Sequence, residues 1–379
     1  MERSESSLPI TIVITVEGLS TAPLGCYGSS IGETPAIDDI AASGVVFDRW
    51  TSPVDQPSGL IRRWLSACSE PIQNEAPESI FVTDDHELDT EVFDAVFGAC
   101  WKLDPKIGGH IAPSIDRTRL AKSFFELMDH IEPDTELAWL HTATLRDCWD
   151  WVEVTLPDPD ENDEPPSEEF VDKEEAEPIE PLQLPDNASV PCLDLESGFQ
   201  PESERHPDLL FSWMQRYANQ VFVLDTMVDA LLQFLGDRPC TVIIAGASGF
   251  SLGDNQWIGH HVGPLRSSDL RLPMIVSGQT PLRVPSVTSA DQFANIIRAA
   301  IAGQSCMTPN SWSHRDEEFH PLIQTESDRA KKAVTTASWF LVNEDDDAAN
   351  AKLFLKPDDL NDVNDIARLK ADVVDRLNS

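Results

Sequence analysis

The segment TVIIAGASGFSLGD, residues 241–254, predicts a buried strand that leads into a loop of small residues. In an α/β enzyme, ligands gather at the carboxyl end of such a strand, yet the first loop residues here are Ala247, Ser248 and Gly249. A serine nucleophile on such a turn needs the pattern G-x-S-x-G together with Asp and His partners. The sequence GASG lacks that pattern, so these residues do not indicate a serine hydrolase.

Acidic residues greatly outnumber basic ones: 66 Asp and Glu stand against 27 Lys and Arg, a formal net charge of −39. A field of that sign argues against nucleic acids and anionic membranes as partners, because both are polyanions. Residues 153–207 concentrate Glu, Asp and Pro, which predicts a largely disordered acidic insertion. The insertion lacks the residue order and the glycine of an EF-hand calcium loop. We therefore favour a spacer, or a docking segment for a basic protein partner.

The seven cysteines are odd in number and far apart, and no Cys or Cys/His metal spacing is present. This predicts reduced thiols rather than a disulfide framework or a zinc site. The first apolar run, ITIVITV, is rich in β-branched residues and suits a buried strand better than a signal-peptide core. No stretch approaches the ~20 apolar residues that cross a bilayer. The expected location is cytoplasmic.

Strand-like and helix-like segments alternate along the chain. Residues 10–16 and 241–245 predict buried strands, and 118–131, 215–235 and 292–302 predict helices. Another helix is predicted after Thr34 as N-cap, with Pro35 at its first position and Gly44 at its end. A hairpin is expected around ASWFLVNEDDDAANAKLFLK, followed by a final helix over 363–377. The alternation favours an α/β fold with a mostly parallel sheet.

Several segments, in their order, resemble the sulfatases of the alkaline phosphatase superfamily. ITVEGLSTAPLGCYG is similar to the family's opening strand and turn, and TPAIDDIAASGVVFDRW to its next helix and strand. SPVDQPSG falls where the family carries its C-x-P-x-R nucleophile motif. TVIIAGASGFSLGD and HHVGPLRSSDLRLPMIV are similar to the second metal-binding strand and the segment after it. The resemblance implies an alkaline-phosphatase-like three-layer α/β/α sandwich with a small C-terminal α+β subdomain.

In the sulfatases, carboxyl and amide oxygens hold a divalent cation, usually calcium, and a formylglycine made from the motif cysteine is the nucleophile. The resemblance places Glu17 at the family's first metal-binding aspartate, and Gly18 at a neighbouring position that is acidic in many members. Asp55 stands at the nucleophile position, and Gly59 replaces the arginine of the motif. A carboxylate at position 55 cannot become formylglycine and would repel a sulfate.

The other matched positions also depart from the family. Ala247 and Ser248 replace its Asp-His or Asp-Asn pair, so further metal ligands are lost. Arg146 lies where the family often has D-P-H, and its charge suits contact with an anion. His260 and His261 stand where the family keeps a basic residue that touches the sulfate.

These replacements predict a sulfatase-like pseudoenzyme that keeps the fold as a binding or interaction module and needs no cofactor. The alternative is a hydrolase of sulfate or phosphate esters with an altered site, in which Glu17 and Asp55 hold calcium or magnesium weakly and His260 or His261 contacts the anion. Expected partners are a basic protein, an active sulfatase relative or a small anionic ligand. The predicted organisation is an α/β domain over 1–306, including the acidic insertion, and a subdomain over 307–379.

Overall fold

The structure is a computed structural model, and it describes residues 8–89, 93–94, 96–103, 111–151, 190, 192–194, 209–253, 256–306, 318–345 and 348–379. Apart from residues 190 and 192–194, the predicted acidic insertion over 153–207 lies outside the described residues. The start of the predicted C-terminal subdomain, 307–317, lies outside them as well. The boundary between 306 and 307 therefore stays a prediction.

The strands follow one another as β1 (Ile10–Val16), β2 (Val45–Thr51), β3 (Ser79–Thr83), β4 (Ala99–Lys102), β5 (Leu137–Thr142), β6 (Leu193–Asp194), β7 (Cys240–Gly246), β8 (Ser251–Leu252), β9 (Trp257–Gly259), β10 (Arg271–Leu272), β11 (Met274–Val276), β12 (Leu282–Ser289), β13 (Ile323–Thr325), β14 (Lys332–Thr335), β15 (Trp339–Asn343) and β16 (Lys352–Leu355). The helices are α1 (Pro35–Ala42), α2 (Gly59–Glu75), α3 (Arg119–His130), α4 (Thr144–Asp147), α5 (Leu209–Leu235), α6 (Ser267–Leu270), α7 (Phe293–Ile301) and α8 (Ala371–Asn378). Most predicted strands and helices are present with shifted ends.

The central sheet of the described chain has nine strands in the order β10-β2-β11-β7-β1-β5-β3-β4, with β12 beside β2. Strand β1 lies at its middle and pairs in parallel with β5 and β7. All seven residues of β1 are buried, because helices cover both faces of the sheet. The parallel strands β1, β5 and β7 therefore end at the same edge, with Val16 opposite both Thr142 and Gly246.

Two apolar cores fill the spaces on either side of this sheet. Helices α1, α3 and α5 pack on one face, and α2 and α7 pack on the other. The alternation of side chains along a strand divides β1 between them: Ile12 and Ile14 lie in the first core, and Val13 lies in the second. The predicted three-layer α/β/α architecture with a mostly parallel sheet is confirmed.

A smaller antiparallel sheet of strands β13-β14-β15-β16 follows the central one. The predicted hairpin is confirmed as β15 paired with β16. The predicted final helix over 363–377 is wrong in its first half, because α8 begins only at Ala371. In the segment before it, Val363 and Asn364 donate backbone N–H groups to the Asp359 carboxylate, and Ile366 donates to the carbonyl of Leu353. These bonds replace the i to i−4 ladder of a helix.

The segment RLPMIVSG, residues 271–278, forms two short strands, β10 and β11, which are separated at Pro273. A proline has no N–H to donate to a neighbouring strand, so the pairing with β2 shifts there. No helix of the described residues combines the length and the apolar character that a membrane crossing requires.

Candidate functional site

Glu17 directly follows β1 and lies at the edge where the parallel strands end. Its side chain is 0% exposed, and neither carboxylate oxygen accepts a hydrogen bond from any residue that the structure describes. Burial raises the pKa of Glu17, while His141, Arg146 and the Ser248 hydroxyl act in the opposite direction. An orphaned buried carboxyl group is costly for a fold. Glu17 is therefore a candidate ligand position.

Gly18 has a conformation and a contact that only glycine accommodates. Its φ of +77° lies in the left-handed region, and a Cβ atom there would lie 2.9 Å from the backbone nitrogen of Arg146. Its N–H donates to Ser248 Oγ at 2.8 Å, and its carbonyl accepts from Tyr217 Oη at 2.6 Å. The backbone of α4 thus occupies the space that a side chain at position 18 would need.

Arg146 on α4 brings a buried positive charge to Glu17. Its side chain is 5% exposed, and its Nη1 atom lies 4.0 Å from Glu17 Oε2 and donates to Ser58 Oγ at 2.9 Å. Its Nη2 atom pairs with Asp85 Oδ1 at 3.0 Å, and its Nε atom with Asp147 Oδ1 at 2.6 Å. Burial alone would lower the pKa of this guanidinium, but the carboxylates around it raise the pKa instead. The sequence suggested an anion contact for Arg146, and the structure pairs it with carboxylates of the chain itself.

Sequence reasoning did not identify Asp85, which lies two residues after β3. It is fully buried, and its carboxylate accepts from Ser58 Oγ at 2.5 Å and from the N–H of Glu87 at 2.9 Å. Despite its burial, His141 and Arg146 hold the pKa of Asp85 well below its usual range. The signal in the sequence was the pair of aspartates that ends SIFVTDD.

The neighbouring Asp84 has a structural role. It accepts hydrogen bonds from Ser123, Thr142 and the N–H of Ala143 at 2.7–2.8 Å. His141, on β5, is fully buried. Its Nδ1 atom lies 3.0 Å from Thr15 Oγ1, and its Nε2 atom lies 3.4 Å from Asp85 Oδ2.

Glu17, Asp85 and His141 form a possible metal-binding group, since one ligand atom from each lies within 4.8 Å of the others. Calcium takes six to eight oxygen ligands, and magnesium demands an octahedron of oxygens. Here two carboxylates and an imidazole are offered, and the oxygens of Asp85 already accept from Ser58, Glu87 and Arg146. The donor set does not fit the oxygen-rich calcium or magnesium site of the sulfatases.

His260 directly follows β9, and its Nε2 atom lies 3.7 Å from Glu17 Oε2. Burial lowers the pKa of His260 to about 3, and the positive charges of Arg146, His261 and Arg329 add to this. The imidazole of His260 is therefore neutral beside the Glu17 carboxyl group. The pair does not form an ion pair at neutral pH.

Asp55 lies in a separate group. Its Oδ2 atom accepts from Arg329 Nε and from Ser327 Oγ, both at 2.8 Å, and its backbone carbonyl lies 3.0 Å from His261 Nδ1. His261 Nε2 pairs with Asp328 Oδ1 at 3.0 Å, which makes Asp55, His261 and Asp328 a second possible metal-binding group. The two groups share no residue. The structure thus places Glu17 with Asp85 and His141, and Asp55 with Arg329 and His261.

The remaining positions singled out in the sequence carry no acidic ligand. Ala247 belongs to the apolar core on the α2 and α7 side, and its N–H donates to the carbonyl of Val16 at 2.8 Å. Ser248 accepts from Gly18, as described above. A Cβ atom at Gly59 would lie 2.7 Å from Val54 Cγ1. Asp254, a further acid near this strand end, lies outside the described residues.

The Glu17→Gln variant is expected to gain stability relative to the parent protein as the pH rises. Because the pKa of Glu17 is raised on folding, the folded state holds a proton that the unfolded chain releases above the ordinary glutamate pKa. This contribution to stability falls as the pH rises from the unfolded pKa through the folded one, and glutamine does not have it. Urea unfolding of both proteins at several values between pH 4.5 and 8 measures the difference. An equal loss of stability in the variant at every pH would contradict the raised pKa.

No family model matches the chain, and no curated protein does. Solved structures match over 98% of this chain. A protein in complex with its substrate D-glucosamine-2-N,6-O-disulfate has 13% identity, a TM-score of 0.64 and 96% of its own chain covered. The phosphonate monoester hydrolase of Agrobacterium radiobacter has 12% identity, a TM-score of 0.61 and 94% coverage. A 2-O GAG sulfatase has 15% identity, a TM-score of 0.54 and 93% coverage. The predicted resemblance to the sulfatases of the alkaline phosphatase superfamily is confirmed at the level of the fold.

Proposed function

We propose that this protein uses a sulfatase fold as a binding module and does not hydrolyse sulfate or phosphate esters through a metal site. The observation that carries the proposal is the position of Arg146. Its guanidinium lies within 4.0 Å of carboxylate oxygens from Glu17, Asp85, Glu87 and Asp147. It supplies the positive charge that a metal ion would otherwise bring to these acids.

A metal ion held by Glu17 and Asp85 would have to share both carboxylates with this guanidinium. Two unit charges 4 Å apart interact by about 4 kcal/mol at the effective dielectric constant near a protein surface, and a divalent ion doubles that repulsion. Arg146 is buried and held by Ser58, Asp85 and Asp147, so it cannot turn away without losing all three contacts. The site can therefore hold either the guanidinium of Arg146 or a metal ion, but not both.

The position matched to the nucleophile supports the same proposal. Asp55 is buried, and its carboxylate is engaged by Arg329 and Ser327. A carboxylate cannot provide the formylglycine of the sulfatases, and its negative charge opposes an anionic ester placed against it. In this proposal Asp55 joins its own loop, after β2, to the loop between β13 and β14, and it does not attack a substrate.

One observation favours the alternative of an altered hydrolase. The two oxygens of Glu17 have no hydrogen-bond partner among the described residues, and their distance from Asp85 and His141 suits a shared ion. In that case His260, 3.7 Å from Glu17, would be the neutral base beside the ion. Metal dependence separates this alternative from the proposal.

Adding millimolar calcium or magnesium is expected to leave the melting temperature of the protein unchanged relative to a sample with chelator. A metal present at about a hundred times its dissociation constant would stabilise the folded state by about 2.7 kcal/mol, a shift of several degrees. No hydrolysis of 4-nitrophenyl sulfate or 4-nitrophenyl phosphate is expected under either condition. A metal-dependent rise that the Glu17→Gln variant abolishes, together with hydrolysis, would overturn the proposal. A rise that the variant keeps would place the metal elsewhere.

A further inference from the structure

We infer that a second site, away from the Glu17 group, binds a small organic carboxylate with an apolar or aromatic body. A cavity of about 450 Å³ lies between the central sheet and the smaller C-terminal sheet. Its lining includes no residue of the Glu17 or the Asp55 group. That volume is within the range of pockets that hold metabolite-sized ligands. The inference goes beyond the proposed function, because it rests on different residues.

The charge of this cavity is opposite to that of the chain. Its lining carries three cationic side chains, Arg49, Arg271 and Lys356, against one carboxylate, Asp48. The chain as a whole has a formal net charge of −39. Positive side chains gathered in a concave site of so acidic a protein favour an anionic ligand.

Two of the charges in and around the cavity already have partners. The Asp48 carboxylate pairs with Arg283, whose Nη2 atom lies 2.7 Å from Asp48 Oδ1. The Lys356 ammonium pairs with the buried carboxylate of Asp362 at 2.5 Å. Within each pair the positive and the negative charge cancel, so neither pair offers much net charge to a ligand.

Arg271 differs from both. Its Nε atom donates to the backbone carbonyl of Asp48 at 2.7 Å, and its guanidinium forms no ion pair with any residue that the structure describes. Burial lowers the pKa of Arg271, and the nearby Tyr27 and Asp48 offset this only in part. Its two Nη atoms form a planar fork that matches a carboxylate in a bidentate arrangement.

Thr335 is a second polar residue in the lining of this cavity. Thr335, at the end of β14, is 7% exposed, and its Oγ1 atom has no hydrogen-bond partner within the described part of the chain. A buried hydroxyl without a partner gains from a ligand oxygen that accepts its proton. Phe250, Leu252 and Pro357 supply apolar surface to the same cavity. A carboxylate on an apolar body satisfies both the polar and the apolar walls.

The test uses indole-3-acetate and its neutral counterpart indole-3-acetamide as probes, with affinities measured by calorimetry. The carboxylate is expected to bind at least tenfold more tightly than the amide, because an ion pair with the partly buried Arg271 is lost in the amide. Arg271→Gln should weaken binding of the carboxylate about tenfold or more. Thr335→Val keeps the side-chain shape, removes only an unbonded hydroxyl and should weaken binding several-fold.

Arg298→Gln removes an equal charge from α7, outside the cavity lining, and should leave the affinity unchanged. Equal affinity for acid and amide, absence of binding at 10 mM probe, or unchanged affinity in both Arg271→Gln and Thr335→Val would overturn the inference. If Arg271→Gln does not fold, the Thr335→Val variant tests the inference instead. This variant is expected to fold, because the hydroxyl that it removes makes no hydrogen bond with the described residues. Metal-dependent ester hydrolysis would refute the proposed function without changing any of these results.

Discussion

The Arg146→Met variant is expected to unfold with a free energy about 3–5 kcal/mol lower than that of the parent protein. Arg146 is 5% exposed, and its removal leaves the fully buried Asp85 without its guanidinium partner and Glu17 without the charge beside it. Methionine fills much of the same volume, so the loss reports mainly on charge and hydrogen bonding. Urea unfolding followed by tryptophan fluorescence measures it.

The loss in the free energy of unfolding of Arg146→Met should also depend on pH. Because the pKa of Asp85 is lowered on folding, its stabilising contribution is present above the ordinary aspartate pKa and is lost as the pH falls toward the folded value. The difference between parent and variant should therefore be largest near pH 7 and shrink below about pH 4. Arg117→Met is the matched control, since Arg117 is 70% exposed and pairs with an exposed Asp116. A deficit no larger than that of the control would contradict the electrostatic role of Arg146.

The second large effect is expected for Arg329→Met, with a loss of about 3 kcal/mol. Arg329 lies between β13 and β14, and its guanidinium pairs with two buried carboxylates, Asp55 at 2.8 Å and Asp269 at 3.1 Å. It also donates to the carbonyl of Val262 at 2.9 Å. Its loss leaves two acids uncompensated and removes contacts between the C-terminal sheet and the central domain.

Limited proteolysis distinguishes this loosening from a uniform loss of stability. Cleavage after exposed sites of the C-terminal subdomain should accelerate in Arg329→Met at urea concentrations where the tryptophan signal is still native. Arg368→Met is the control, because Arg368 is an exposed residue of the same subdomain. The same stability and cleavage rate in both variants would show that the Asp55 group does not hold the subdomain in place.

The architecture could be predicted from the sequence because its evidence is local. Strand β1 is a run of β-branched residues with matching bounds, and helix α3 begins after Thr118, whose hydroxyl accepts from Ala121. Such patterns need only neighbouring residues. The segment before α8 was mispredicted because its backbone bonds to Leu353 and Asp359 replace the helical ladder, and periodicity carries no information on such contacts.

The site could be predicted only in part, for a related reason. Glu17, Asp55 and the two histidines were found through the resemblance, which assigns a position but no partner. The partner of Arg146 is Asp85, 61 residues away, and the partner of Asp55 is Arg329, 274 residues away. The packing of strands and loops determines which charged side chains form ion pairs. The role of Arg146 as the local cation therefore emerged only from the structure.

The close approach of α4 to Gly18 has a consequence for any attempt to build a metal site at this strand end. An acid placed at position 18 would meet the backbone of Arg146 and a left-handed φ before it could attract any ion. Helix α4 would have to withdraw first, and that movement alone would break the contacts of Arg146 with Asp85 and Asp147. A single Gly18→Asp substitution is therefore expected to destabilise the fold without adding a metal ligand.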